Sequence, residues 1–189
     1  KWQDNLYYIL GADPLDGDGK YHPNLSDQLL KQLRHYFDLI LCDSGSQIGH
    51  GLALGSLFAA DGIFLVMTQS ESAVRRFERL MPLYQKLNVS TLGCLINRYQ
   101  DENPYTLGYL RKRLDRFWSD FFVVSESPLG LVAEAEGRSL IHYRDKNFGK
   151  DVRSTANLIL RNAGAAPITE GSRRPWNLLK FRNTSKTEA

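Results

Sequence analysis

The 189 residues are 42% hydrophobic and 24% charged, the balance of an ordinary globular domain with one sizeable core. No apolar segment approaches the ~20 residues of a membrane-spanning helix, because Asp61 interrupts the best candidate between Gly51 and Met67, and the opening KWQDNLYYIL lacks the apolar core and cleavage site of a signal peptide. The net charge of +3 is concentrated at the end: from Gly171 onward five basic residues oppose Glu188 alone, so this stretch holds +4 and the rest −1, which excludes a domain-wide basic footprint for nucleic acid.

Taken in chain order, strands and helices alternate. Residues 6–10 (LYYIL) read as a strand, and residues 11–23 as a loop rich in Gly, Asp and Pro. Ser26 begins a helix with Leu29, Leu30, Leu33 and Tyr36 at helical spacing. Then comes FDLILCDSG, residues 37–45, where Leu39, Ile40, Leu41 and Cys42 form a short apolar run. Such a run suits a strand buried on both faces of a parallel sheet. A parallel strand delivers Asp43 to its carboxyl end, where open α/β sheets bind ligands. In P-loop NTPases an Asp there helps hold Mg²⁺. The plainer alternative is a buried strand that stops at a polar turn.

Residues 52–60 read as a short buried helix and 62–67 as the next strand. Ser70 or Ser72 can cap the following helix, which carries Val74, Phe77, Leu80, Met81, Tyr84 and Leu87 on one face. Pro82 is predicted to kink or divide it. A strand over 91–96 ends at Asn97, a basic helix covers 105–117, and a further strand covers 121–124. The final helix, over 150–162, is predicted to bury Val152, Ala156, Ile159 and Leu160 and to stop at Gly164. The expected organisation is an α/β domain over 1–166, truncated at its amino-terminal side, and a basic tail over 167–189. Helical crossovers of this length imply a three-layer fold, with a mostly parallel twisted sheet and helices on both faces.

Cys42 and Cys94 each fall in a predicted buried strand. They are expected to be reduced packing residues of a cytoplasmic protein, and they are too few for a structural zinc site. A phosphate loop requires G-x-x-x-x-G-K-[ST]. The nearest text, GADPLDGDGKY, has Pro14 in place of the first glycine and Tyr21 in place of the hydroxyl residue. Its three aspartates would repel phosphate, so it reads as a solvated loop.

FDLILCDSG, GLALGSLFAADGIFLVMTQSESAVRR and GCLINRY together resemble the carboxyl-terminal half of the ParA/MinD group of deviant-Walker ATPases, of the SIMIBI class. VVSESPLGLVAEAEGRSL, residues 123–140, is similar to that group's loop past the adenine. The resemblance runs over residues 37–160 and implies a P-loop NTPase-like fold. It implies that Asp43 lies near Mg²⁺, directly or through water, with Gly45 beside it. It further implies that Asn97 recognises adenine through its amide, next to Arg98, and that the backbone from Ser125 to Pro128 flanks the base. For Asn97 the plainer alternative is a strand-end residue bonding its own turn.

Two departures qualify this. The switch loop DSGSQIGHG, residues 43–51, lacks the group's prolines, a form similar to CpaE/TadZ-like pilus-assembly members. The group's first strand, deviant Walker A loop and first helix are not in this text. A fragment of a longer protein is therefore expected, with ATP and Mg²⁺ bound only when that loop is supplied and no catalytic residue in this chain alone.

The basic segment RRPWNLLKFR interleaves Arg173 and Arg174 with Trp176, Leu179 and Phe181. Such a composition suits an anionic membrane surface. Its apolar groups spread around a helix, so docking on its own domain or a partner subunit is the alternative. Arg111, Lys112, Arg113 and Arg116 read as a solvated helix face rather than a DNA contact. The resemblance implies an ATP-binding spatial organiser that works by nucleotide-dependent homodimerisation. It would serve, with polar localisation, a pilus, secretion or division apparatus, in the cytoplasm or peripheral at the inner membrane face. The alternative is a non-catalytic scaffold of the same fold that binds partner proteins. The related bacterial tyrosine kinases end in a tyrosine cluster, whereas no Tyr follows Tyr143 here.

Overall fold

Proline at the start of a helix forfeits no hydrogen bond, and Pro23 opens the first one. The computed structural model describes residues 7, 9, 22–45, 51–88, 90–118 and 120–169. The chain divides into two units, Lys1–Ala60 and Asp61–Ala189, and each is considered by itself.

In the first unit, α1 (Pro23–Leu33) is capped by His22, whose Nδ1 accepts from the Asn24 amide at 3.2 Å. The helix thus begins three residues before Ser26. Ser26 is instead buried, and its hydroxyl donates to the Leu52 carbonyl at 2.9 Å. That bond ties α1 to α2 (Gly51–Ala59). The two helices approach closely because Gly55 has no side chain: a Cβ there would overlap the Pro23 carbonyl oxygen. Arg34 Nη2 donates to the Ala59 carbonyl at 2.6 Å, satisfying the end of α2. Of the predicted α1 face only Leu30 is buried, while Leu29 and Tyr36 are exposed.

The expected strand over 39–42 is not formed. These residues have no ladder partner among the described residues, Leu41 is 73% exposed and Cys42 is exposed. A parallel strand is buried by helices on its sheet's two faces, and without a ladder the apolar run gains neither cover nor hydrogen bonds. Of the predicted strand over 6–10 only residues 7 and 9 are described, and neither is in a strand.

The second unit is a parallel three-stranded sheet in the order β1 (Ile63–Met67), β2 (Thr91–Tyr99), β3 (Phe121–Ser125). α3 (Glu71–Lys86) connects β1 to β2, and α4 (Leu107–Leu114) connects β2 to β3. β3 is followed by α5 (Gly130–Ala135), a 3₁₀ turn (Leu140–Tyr143) and α6 (Lys146–Asn162). The α/β class expected from the sequence is the one observed. Leu65 pairs with Cys94, which pairs with Phe121, and Met67 with Ile96, which pairs with Val123. Gly93 and Cys94 point to opposite faces as successive strand residues must, and both are buried.

Caps set the helix limits. Ser70 Oγ accepts from the Ala73 amide at 3.2 Å, Thr106 Oγ1 from Tyr109 at 3.3 Å, and Asp145 Oδ1 from Phe148 at 3.1 Å. The last places the start of α6 at Lys146 rather than residue 150. Pro82 lies inside α3 without dividing it. Val74, Cys94, Ile96, Leu110 and Leu114 are each less than 2% exposed and form the centre of the core. Each fully buried aliphatic side chain contributes about 1.5–3 kcal/mol. No residue of α6 is fully buried, so Val152, Ala156, Ile159 and Leu160 are half-covered rather than buried. Among the described residues, no helix is long and apolar enough to cross a membrane.

Candidate functional site

Because all three strands are parallel, their carboxyl ends share one edge, the edge on which open α/β sheets bind ligands. Three segments meet the chain's polar residues there: Gln69 just after β1, Asn97 and Arg98 near the end of β2, and residues 125–128 at the end of β3.

Gln69 is buried and every part of its carboxamide is used. Oε1 accepts from the Gln100 amide at 2.7 Å, and Nε2 donates to the Gln100 and Tyr105 carbonyls at 3.1 Å each. Asn103 Nδ2 donates to the Gln69 carbonyl at 3.3 Å. This residue locks the loop after β1 to the loop after β2. Sequence reasoning passed over it, although a long polar residue between a strand end and the Ser70 cap is a signal of loop bracing.

Asn97 is half-exposed and pairs in register with Val124. Its side chain makes no hydrogen bond among the described residues, so the self-bonded strand-end alternative does not describe it. The next residue, Arg98, has φ +56° and sits at a register shift between Asn97 and Tyr99. It is the extra residue of a β-bulge, a device that re-aims side chains. Its guanidinium grips Glu126 with two bonds, Nε to Oε2 at 2.7 Å and Nη2 to Oε1 at 3.0 Å. The Glu126 hydrogen bonds and charge push the already high Arg98 pKa further up.

The loop after β3 is held by carboxylates. Asp151 Oδ2 accepts from both the amide and the hydroxyl of Ser125, at 2.9 and 2.6 Å. Asp145 Oδ2 accepts from the buried Ser127 hydroxyl at 2.6 Å, and Ser127 Oγ accepts in turn from the Leu129 amide at 3.2 Å. The Ser127 hydroxyl and then the Phe148 amide depress the Asp145 pKa. Pro128 is exposed at the tip.

In the first unit, Asp43 is exposed and its Oδ1 accepts from the Gly45 amide at 3.1 Å, with Gly45 at φ +62°. The carboxylate thus shapes its own turn, and its second oxygen has no partner among the described residues. Among the described residues no three of His, Cys, Asp and Glu converge on a metal position. Mg²⁺ takes one or two carboxylates together with phosphate and water oxygens in an octahedron. Asp43 supplies one carboxylate and the described residues supply no phosphate cradle.

Three of the basic residues of α4 and its end make contacts. Arg113 Nη2 lies 2.9 Å from Glu78 and Arg116 Nη2 3.6 Å from the same carboxylate. Arg113 also donates to the Tyr109 hydroxyl at 2.8 Å. Arg111 lies over Phe121 and Arg116 over Phe117, at 6.0 and 4.6 Å from the ring centres. Ion pairing with Glu78 offsets the charge of Arg113, whereas Arg111, Lys112 and Arg116 are exposed. Arg173, Arg174, Trp176, Leu179 and Phe181 lie outside the described residues.

No family model and no curated protein matches the chain significantly. Solved structures do. The cell division ATPase MinD of Pyrococcus furiosus matches at TM-score 0.59 and 20% identity, over 74% of this chain and 58% of that one. The fold is MinD-like. The septum site-determining protein MinD of Pyrococcus horikoshii OT3, solved with Mg-ADP, matches at TM-score 0.57 and 20% identity, covering 74% of this chain and 59% of its own. The Aquifex aeolicus cell division protein MinD matches at TM-score 0.62 and 17% identity, covering 78% and 63%. The chain thus spans about three-fifths of each MinD structure and shares their P-loop NTPase-like α/β fold.

Proposed function

We propose that this chain carries the base-recognising part of a ParA/MinD-like ATP-binding protein. That protein acts as a spatial organiser or assembly factor for a division, secretion or pilus apparatus, through nucleotide-dependent homodimerisation. The observation that carries the reading is Asn97. Its carboxamide, which offers both a donor and an acceptor, is unbonded among residues whose own polar groups are engaged. The MinD-like fold supports the reading, and the Mg-ADP bound to one MinD structure supports nucleotide and Mg²⁺ as ligands of the intact site. Asp43 and Gly45 take the metal side once a phosphate loop, absent from this sequence, is supplied. The CpaE/TadZ-like affinity rests on the proline-free loop after Asp43. A cytoplasmic location rests on the two free cysteines, and a peripheral one at the inner membrane face on the composition of the tail.

The base half is testable alone. Positioning and electrostatic stabilisation of the phosphates supply nearly all catalysis in this chemistry, so the chain alone should show no ATPase activity. Saturation-transfer NMR should show contact with adenosine, no tighter contact with ATP, and loss of both in Asn97→Ala. Sub-micromolar ATP affinity by calorimetry would reveal a phosphate site that the sequence does not disclose. A second reading, a non-catalytic scaffold of the same fold, is favoured by one observation: one oxygen of the Asp43 carboxylate is taken up by the Gly45 amide of its own turn. The scaffold reading requires that neither adenosine nor ATP makes contact.

A further inference from the structure

We infer that Asp151 and Asp145, both presented by the amino-terminal part of α6, are positioning residues for the Asn97 base site. The inference rests on the function proposed above and adds to it the residues that fix the shape of the site. Consider which groups along the rim are tied and to what. Ser125 is held twice by one oxygen of Asp151, at 2.9 and 2.6 Å. Ser127 is held by Asp145 at 2.6 Å. Between them, the Glu126 amide donates to the Tyr99 carbonyl at 2.9 Å, and its carboxylate grips Arg98. Each of three successive loop residues is therefore anchored, two of them to α6 and one to β2.

These contacts run from α6 through the loop to Arg98, the neighbour of Asn97. The residue at the end of that sequence is the one whose amide is unbonded. This is the pattern expected of a preorganised recognition group: its surroundings are fixed so that its own donor and acceptor keep their direction. Charge matters here as well as geometry. Hydrogen bonds to an ionised carboxylate are shorter and about twice as strong as neutral ones, in keeping with the 2.6 Å contacts. Asp145 is also the cap of α6, its Oδ1 accepting from the Phe148 amide at 3.1 Å while Oδ2 holds Ser127. The first turn of α6 and the loop after β3 are thereby set by one carboxylate. The Ser125 hydroxyl is consumed by Asp151, whereas the carboxamide of Asn97 has no partner among the described residues.

The test uses the full chain, with adenosine as the probe, titrated while following the Asn97 side-chain and Ser125 amide resonances. Wild type should show saturable shifts at Asn97. Asp151→Ala removes two charge-assisted hydrogen bonds to Ser125 and should weaken adenosine by about tenfold or more. Asp151→Asn keeps an acceptor oxygen and should recover most of the affinity. Ser127→Ala, which spares the α6 cap, should weaken adenosine without moving the unfolding midpoint by more than the loss of a single hydrogen bond. A brace with only a structural role would lower stability in proportion and leave the affinity of the folded fraction unchanged. If Asp151→Ala and Ser127→Ala both bind adenosine as wild type does, the positioning inference fails and the base-site reading stands. If wild type itself shows no adenosine shift, the base-site reading fails and takes this inference with it. Should Asp151→Ala not fold, Ser127→Ala and Asp151→Asn decide between these outcomes.

Discussion

Phe64 and Phe122 meet edge-on across β2, their ring centres 5.7 Å apart at 85°, because the residue between them is Gly93. Gly93 pairs with Phe64 and has φ +143°, and a Cβ there would lie 2.8 Å from Phe122 Cε2 and 2.9 Å from the Asp120 carbonyl oxygen. Gly93→Ala should therefore cost about 1–3 kcal/mol, from overpacking and from a backbone conformation that L residues avoid. Urea unfolding should show a lower midpoint with an unchanged slope. A midpoint equal to that of wild type would mean the rings separate freely.

Gln69→Ala should destabilise the rim more than an ordinary surface change. It strips partners from one amide and two carbonyls in the loops after β2, and each buried orphan costs about 1–3 kcal/mol. Water will reach some of these groups, so a total of about 2–3 kcal/mol is expected. Hydrogen exchange at the Gln100 amide should accelerate in step with it.

Acid should loosen the loop after β3. The Asp145 pKa is depressed by the Ser127 hydroxyl and the Phe148 amide, so the unfolded chain binds its proton more readily than the folded one. The stabilisation is then fully present above the ordinary aspartate pKa of about 3.9. It is lost as pH falls below that towards the lower folded value. Ser127→Ala removes the larger cause, so its stability should fall less steeply over the same acid range in denaturation curves.

The two thiols should differ sharply in reactivity. Cys94 is fully buried and burial pushes its thiol up to about 12. Cys42 is exposed; partial desolvation raises its pKa and a Ser56 hydrogen bond works against that. Since the thiolate is the reactive form, a disulfide reagent at mildly alkaline pH should label Cys42 first. Cys94 should react only as the protein unfolds. Equal rates in the native state would contradict the core position of β2.

Tail contact with a membrane should need both charge and insertion. Each basic residue near an anionic surface contributes roughly 1 kcal/mol. Co-sedimentation with anionic liposomes should fall as salt rises, and fall again in Trp176→Ala with Phe181→Ala. No binding at low salt would leave docking on protein as the role of residues 173–182.

The sheet was legible from residues such as Ile63, Leu65 and Met67, whose buried runs are bounded by turn residues and separated by helices of crossover length. The segment over 39–42 has the same composition and yet forms no strand, because pairing depends on what lies beside a segment as well as on its own pattern. Asn97 could be singled out from its place at a strand end. Asp145 and Asp151 could not, since their role depends on partners 18 and 26 residues away, and the place of Gln69 beside the Ser70 cap hinted at bracing without naming its partner 31 residues away. No local periodicity records such pairings.

The left-handed backbone at Arg98 also means that β2 carries an insertion. Asn97 pairs with Val124 and Tyr99 with Ser125, so two residues that are neighbours in β3 face two that are not neighbours in β2. Excising Arg98 would bring Asn97 and Tyr99 together and leave every remaining pair of the ladder as it is. The sheet therefore tolerates the loss of this residue as a matter of counting, while the grip on Glu126 disappears with it. A single-codon deletion thus separates the architecture of the rim from its wiring, which point substitutions there, by keeping the extra length, do not.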